Sequence, residues 1–195
     1  MIRFFDILFS FFGIVLLFPF FLIIYISIMI ESKGNGIYIQ NRVGLNGNDF
    51  KLYKFRSMAK DSDKKGLITI GMNDSRITQI GRFIRKYKID ELPQLFNVFI
   101  GDMSLVGPRP EVRKYVNLYN LEQLKVLSVR PGITDNASIE YRNENEILGS
   151  VSNPDSVYIN DIMPSKILLN MEYIQKKSLK KYFKIIFLTF YKLGK

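Results

Sequence analysis

The sequence predicts a helix-rich, mixed α/β fold: one small domain behind an N-terminal membrane-embedded helix, with amphipathic helical segments toward the C-terminal end. Three observations predict it. Residues 7–30 contain no charged side chain and are dense in Phe, Ile and Leu. Residues 37–56 read as two short strands about a glycine-containing turn, and later segments switch to helical spacing punctuated by Pro and Gly. A chain of 195 residues has room for one such domain plus an anchor. The division falls at the polar, glycine-containing linker, with an anchor and linker over 1–36 and the domain over 37–195.

The apolar run is long enough, at about 1.5 Å per residue, to cross a hydrocarbon core. It exceeds the usual h-region of a signal peptide, and no Ala-x-Ala site follows it. Pro19 lies near its middle, lacks an N–H and clashes with the carbonyl of Val15, so a kink or break is expected there. Arg3 and Lys33 flank the run on both sides and do not set its orientation. A kinked spanning helix and a bent hairpin with both ends on one face both satisfy the pattern.

Strands are expected over 37–43 and 50–56, joined by a turn at 44–48, with Gln40, Arg42, Lys54 and Arg56 among the polar positions. Residues 61–73 are polar and are expected to form a mobile loop. A helix is expected over 76–87, with Ile77, Ile80, Ile84 and Tyr87 on one face and Arg82, Arg85 and Lys86 off it. Asp90 is placed to cap the next helix, with Pro93 in its first turn and Gly101 as its stop. Gly107-Pro108-Arg109-Pro110 and Arg130-Pro131-Gly132 are rigid turns, each presenting an arginine. Residues 167–195 interleave lysines with Leu, Ile, Phe and Tyr, the composition of a helix lying in a membrane interface. A helix packed on the domain with a solvated basic face has the same composition.

The chain has neither Cys nor His. Disulfides, thiolate or imidazole metal sites, Cys nucleophiles and His acid–base catalysis are therefore excluded. Any chemistry must come from carboxylates, hydroxyls, Lys, Arg, backbone amides or a hard cation. The net charge of +10 favours polyanionic partners: nucleic acid, anionic lipid or phosphorylated ligands. Residues 1–36 are neutral, whereas 165–195 carry eight lysines against Glu172 alone.

Asp90 and Glu91 are adjacent carboxylates at an expected helix start, where free N–H groups attract phosphate and keep a carboxylate ionised. Taken alone, they read first as an N-cap with a helix-favouring neighbour. Arg85, Arg109, Arg130 and Arg142 have guanidinium forks suited to a diphosphate, although any one of them also fits solvated surface. Glycine-rich Walker and dinucleotide loops are absent from the sequence.

Assembled in order, these segments resemble the bacterial sugar transferase family, the small monotopic phosphoglycosyl transferases. The matching runs are Arg3-Phe4-Phe5-Asp6, Gln40-Asn41-Arg42-Val43-Gly44, Lys54-Phe55-Arg56-Ser57-Met58 and Ile80-Gly81-Arg82-Phe83-Ile84-Arg85. Asp90-Glu91-Leu92-Pro93-Gln94-Leu95-Phe96-Asn97-Val98 and Gly101-Asp102-Met103-Ser104-Leu105-Val106-Gly107-Pro108-Arg109-Pro110-Glu111 follow. Arg130-Pro131-Gly132-Ile133-Thr134 and Pro164-Ser165-Lys166 complete the set, which covers nearly the whole chain. The long central run is specific enough to displace the simple capping reading of Asp90 and Glu91.

The resemblance implies that Asp90 attacks the β-phosphate of a UDP-sugar, releasing UMP, and that polyprenol (undecaprenyl) phosphate then takes the phosphosugar. It implies catalytic roles for Asp90 and Glu91, with Mg²⁺ held by or beside the pair. It also implies substrate contacts from Arg56, Arg85, Arg109, Arg130 and Arg142. The anchor would be a re-entrant helix, holding the domain on the cytoplasmic face of the bacterial inner membrane. The role implied is initiation of a lipid-linked glycan: capsule, O-antigen, exopolysaccharide or glycoprotein glycan. The partners are donor, acceptor and membrane, not nucleic acid; a homo-oligomer is compatible with the sequence.

Three departures stand out. Phe18, not Ser, precedes Pro19. Asp135-Asn136-Ala137-Ser138-Ile139 lacks the Gly-Trp of many relatives, although Arg142-Asn143 matches. Tyr182 stands where many relatives carry Asp. The rival from another class is a non-catalytic, membrane-tethered basic module binding anionic lipid or nucleic acid. It accounts for charge and anchor, but not for Asp90-Glu91 with the proline-set arginines.

Overall fold

The computed structural model describes residues 1–59, 62 and 74–193, so the expected loop at 61–73 lies outside the described residues except for Ser62. The fold is mixed α/β and rich in helix. Helix α1 spans Ile2–Glu31. Its most apolar window has a mean hydropathy of 2.9 and is only 17% buried, so by length and composition it can cross a membrane. Helical assignment continues through Pro19. One backbone bond is lost there, but Leu17, Phe20, Phe21 and Ile24 pack on the domain and hold both sides of the proline helical. Pro19 therefore does not end the helix.

A hairpin of β1 (Ile37–Val43) and β2 (Asp49–Phe55) follows, antiparallel with Gln40 opposite Leu52 and Tyr38 opposite Lys54. Asn46 turns it at φ 55, a left-handed conformation that Asn tolerates. Helix α2 (Gln79–Lys86) begins at Thr78, whose hydroxyl accepts from the Gly81 N–H. Helix α3 (Gln94–Ile100) ends at Gly101, whose φ of 108 suits glycine alone.

Both ends of α1 are fastened to this same domain. Arg3 donates to the carbonyls of Val98 (2.6 Å) and Phe99 (3.0 Å) at the C-terminal end of α3. Glu31 accepts from the N–H groups of Gln79 (2.6 Å) and Ile80 (3.1 Å) at the N-terminal end of α2. Each charge thus meets the helix end whose partial charge is opposite. Between them, Phe21, Ile24 and Ile28 share a core with Phe55 and Ile84. Ile84 is fully buried, and truncating it to Ala would cost about 2–5 kcal/mol.

Strand β3 (Ser104–Val106) pairs in parallel with β4 (Gly132–Thr134). Helices α4 (Arg113–Val116), α5 (Asn136–Glu140), α6 (Glu144–Gly149) and α7 (Pro154–Val157) are short. A π-turn at Tyr158–Ile162 leads into α8 (Met163–Gln175), and α9 (Leu179–Leu193) follows. The basic segment thus forms two helices. On α9, Tyr182 and Ile185 are buried, while Phe183, Phe187 and Phe190 are exposed beside Lys180 and Lys184. The helix packs on the domain through Tyr182 and Ile185 and presents aromatic and basic side chains together on its open face.

Asp6 joins α1, β3 and α9. It is buried, and its Oδ1 accepts from Ser104 Oγ (3.0 Å), the Leu105 N–H (2.9 Å) and the Tyr182 hydroxyl (2.8 Å).

Candidate active site

Lys88 ends α2 in the left-handed region at φ 57. The chain then makes a single 3-10 turn, Ile89–Glu91, before α3 begins after Pro93. Asp90 is therefore not the N-cap of α3. It sits one turn earlier, inside the domain, where its Oδ1 is buried without a hydrogen-bond partner among the described residues. Arg85 and Lys88 act on it electrostatically, and Arg85 Nη1 lies 3.4 Å from Ser57 Oγ.

Glu91 is buried in a cage of cations. Its Oε1 accepts from Arg109 Nη2 (2.5 Å) and Lys54 Nζ (3.3 Å), and its Oε2 accepts from Arg109 Nη1 (3.2 Å). Lys54 comes from β2, on the face it shares with Gln40, Arg42 and Leu52. Arg109 comes from the turn after β3. Its backbone N–H donates to Asp135 Oδ2 at 2.8 Å, and its side chain forks onto Glu91.

Two glycines allow that turn. A Cβ on Gly132 would lie 2.1 Å from the Gly107 nitrogen, and one on Gly107 would lie 2.5 Å from the Arg130 carbonyl. Only glycine lets the two proline turns close on one another, joined by Gly132 N–H to Pro108 O at 2.9 Å. A second cluster braces the same turn. Arg42 Nη1 donates to Pro110 O (2.9 Å) and Glu111 Oε1 (3.3 Å), and Tyr158 donates to Glu111 Oε2.

Electrostatics separate the two adjacent carboxylates. Burial and the neighbouring Glu91 raise Asp90 above the ordinary carboxylate range, against Lys54, Arg85 and Lys88. Burial also pushes Glu91 up, but Arg109 and Lys54 override it and hold Glu91 well below that range. Burial lowers Lys54 from 10.5 to about 8, opposed by Glu91. Arg109 is raised, first by Glu91. The raised Asp90 corrects the expectation of a carboxylate stabilised by helix-terminal N–H groups. Such a splitting of two neighbouring acids marks sites where charge is managed for chemistry.

The residues match the sequence model of the bacterial sugar transferase family over 1–195, the whole chain. The chain belongs to the bacterial sugar transferase family. One relative is the UDP-N-acetylgalactosamine-undecaprenyl-phosphate N-acetylgalactosaminephosphotransferase of Aeromonas hydrophila. It is 44% identical over 137 residues, covering 69% of this chain and 32% of the relative. The UDP-glucose:undecaprenyl-phosphate glucose-1-phosphate transferase of Klebsiella pneumoniae is 37% identical over 191 residues, 96% of this chain and 38% of the relative. A protein of the same name from Caulobacter vibrioides is 34% identical over 174 residues, 88% of this chain and 61% of the relative. The chain thus spans less than two thirds of the length of these relatives.

In this bacterial sugar transferase, the five arginines singled out from sequence do not converge. Arg109 touches Glu91, and Arg85 acts on Asp90 through space. Arg56 instead donates to the Ser32 carbonyl (2.6 Å) and the Lys33 carbonyl (3.2 Å), tying down the linker after α1. Arg130 donates from Nε to Gly101 O at 2.8 Å, and Arg142 from Nη1 to the Lys192 carbonyl; both are exposed. Sequence reasoning missed Lys54, Arg42, Glu111 and Tyr158 as parts of the site. The period-2 alternation of the hairpin places Arg42 and Lys54 on one face and could have flagged them. Nothing local marks Tyr158, which arrives from a distant helix.

Among the described residues, no group of three or more acidic side chains is clustered as a metal cage. The pair still fits a Mg²⁺ ion that takes most of its ligands from substrate phosphates and water. Asp90 has a free oxygen, while both Glu91 oxygens are already held by cations.

Proposed function

We propose that this chain transfers a sugar-1-phosphate from a UDP-sugar to polyprenol phosphate through a phosphosugar bound covalently to Asp90. The observation that carries the reading is the buried, unpartnered Asp90 oxygen beside a Glu91 that is fixed by Lys54 and Arg109. Without Cys or His, the available nucleophiles are carboxylates, hydroxyls and lysine amines, and Asp90 is the one that combines burial with an unpartnered oxygen at the caged Glu91. The relatives' names, which specify UDP-sugars and undecaprenyl phosphate, support the substrates.

In the first step an Asp90 oxygen attacks the β-phosphorus. The bond from that phosphorus to the bridging oxygen breaks, and UMP leaves with the oxygen. In the second step a phosphate oxygen of the polyprenol acceptor attacks the same phosphorus. The Asp90–phosphorus bond breaks, giving polyprenol-diphosphate-sugar and the free carboxylate. Arg109 orients and neutralises the diphosphate, Glu91 fixes the Arg109 fork, and Lys54 contributes a second positive charge. Asp90, with Glu91 beside it, would hold Mg²⁺, which when bound neutralises phosphate charge. The long apolar helix and the exposed aromatic and lysine positions of α9 support a site at a membrane surface, and the cytoplasmic origin of nucleotide sugars argues for the cytoplasmic face of the inner membrane, where it starts a lipid-linked glycan.

The test is to incubate the full chain in membranes with UDP-sugars labelled at the β-phosphate, without acceptor. The wild type should take up label that polyprenol phosphate discharges, and Asp90→Asn should take up none. Labelling of Asp90→Asn at the wild-type level would remove Asp90 from the nucleophile role.

A further inference from the structure

A cleft opens beside Arg109, walled by Tyr119, Leu127 and Met163 and carrying Lys166 and Asn170. Asn170, on α8, is 4% exposed. Its Nδ2 donates to Asp135 Oδ2 at 3.0 Å, the oxygen that also accepts the Arg109 N–H. A carboxylate only accepts, so this contact fixes which end of the amide faces Asp135. The Oδ1 acceptor is left over; it is buried and has no partner among the described residues. On the other side of Asp135, the Ser138 N–H donates to Oδ1, and the Ser138 hydroxyl is likewise buried without a partner. One committed acceptor and one available donor therefore flank a single carboxylate, next to the arginine that meets the donor phosphates. This is the segment in which the sequence departs from the Gly-Trp of many relatives.

We infer that Asn170 is a specificity-determining residue of the donor cleft, accepting a hydrogen bond from an N–H of the nucleotide sugar, with Ser138 Oγ donating to the adjoining carbonyl. The inference rests on the transferase reading and adds to it the class of group recognised, an –NH–C(=O)– unit. Two parts of a nucleotide sugar carry one: the acetamido group of a 2-acetamido sugar and the N3–H imide of uracil. A buried acceptor built for an N–H is left unpaired by a ligand lacking it, so discrimination should be strong.

The test measures UMP release by the full chain in membranes with three donors: a UDP-2-acetamidohexose, the matching UDP-hexose, and the N3-methyluridine form of the first. Each is used with wild type, Asn170→Leu and Ser138→Ala. The Asn170 bond to Asp135 also supports Arg109, and losing that support lowers kcat/KM equally for all donors. Recognition instead appears as a donor-dependent difference. If the acetamido group is read, Asn170→Leu should lose about 10- to 100-fold more kcat/KM with the acetamido donor than with the hexose. If uracil is read, the same excess loss should separate the N3–H donor from its N3-methyl form. Ser138→Ala breaks no side-chain hydrogen bond among the described residues, so it keeps the test open if Asn170→Leu does not fold; it should show the same pattern, more weakly. UMP release with equal losses for all donors in both variants would overturn the assignment while leaving the transferase reading in place. No UMP release by the wild type with any donor would overturn both.

Discussion

Replacing Glu91 by Gln tests the electrostatic architecture of the site independently of turnover. The wild-type carboxylate faces Arg109 through both oxygens and Lys54 through Oε1. Glutamine keeps the shape but offers one acceptor, and its amide N–H groups then point donors at a cation. Removing one partner of a buried ionic cluster costs about 3–5 kcal/mol, because the remaining charges are left uncompensated. For a chain of this size that corresponds to a fall of roughly 6–20 °C in Tm.

The pH dependence of that gap has a fixed sign. Glu91 is depressed in the folded state, so its stabilisation is present above the ordinary carboxylate pKa and is lost as pH falls through the folded value. Lys54 is lowered to about 8, and Glu91 is what opposes a further fall. In Glu91→Gln, Lys54 sheds its proton below pH 8 and relieves part of the damage. The gap between wild type and variant should therefore be widest in the weakly acidic range, above the ordinary carboxylate pKa and below the pH at which Lys54 of the variant deprotonates, be narrower by about pH 8, and narrow again in strong acid. Thermal unfolding in detergent at about pH 6 and pH 9 measures it, and adding Lys54→Met to the variant should recover part of the loss. A variant within about 1 kcal/mol of wild type at about pH 6, or a gap unchanged at pH 9, would refute the caged-carboxylate account.

Four further predictions concern activity and topology. Asp90 must be ionised to attack, and burial with Glu91 raises its pKa, so UMP release should fall on the acid side at a pH above the ordinary carboxylate range; a pH–rate profile limited near pH 4 would count against it. Arg109→Ala should lower kcat/KM for the donor by about 100-fold or more without releasing the protein from membranes, since it removes a bidentate fork. Arg130→Ala, which loses one exposed bond to Gly101 O, should stay within about threefold. Single cysteines at Ile2 and Asn35 should be labelled from the same side of the membrane, because both ends of α1 are docked on one domain; labelling from opposite sides would show that this docking does not survive in the bilayer.

Local chemistry made some of this legible in advance. Alternation and a Gly-Asn turn placed the first strand at residues 37–43, and the Gly101 stop of α3 needed only its left-handed backbone. Asp90 misled as a cap because an Asp before a Pro is a good helix start; the chain instead reverses at Lys88 and spends a 3-10 turn carrying both carboxylates inward. The arginines were chosen by type and turn, but type does not say which carbonyl is nearby. Arg56 is spent on the linker and Arg130 on Gly101, whereas Arg109 is aimed by a backbone bond to Asp135 from another part of the chain. Glu111 and Tyr158 become parts of the site only once the hairpin, the proline turn and the π-turn before α8 meet, and no periodicity encodes that meeting.

The fastening of Asp6 also has a bearing on how the chain is made. Its partners Ser104 and Tyr182 lie 98 and 176 residues downstream. During synthesis the apolar helix emerges before its partners, with a carboxylate that has no internal donors until Ser104 and Leu105 have followed and lacks the third until Tyr182 has. A bare carboxylate resists burial in hydrocarbon, so the N-terminal turn should linger at the headgroup level, half inserted, while translation proceeds. Final seating then waits for α9, and a ribosome stalled short of residue 182 would leave an anchor that has not closed. Closure of the Asp6 site is in that sense gated by α9, and chains truncated before that helix should be preferred substrates for membrane proteases.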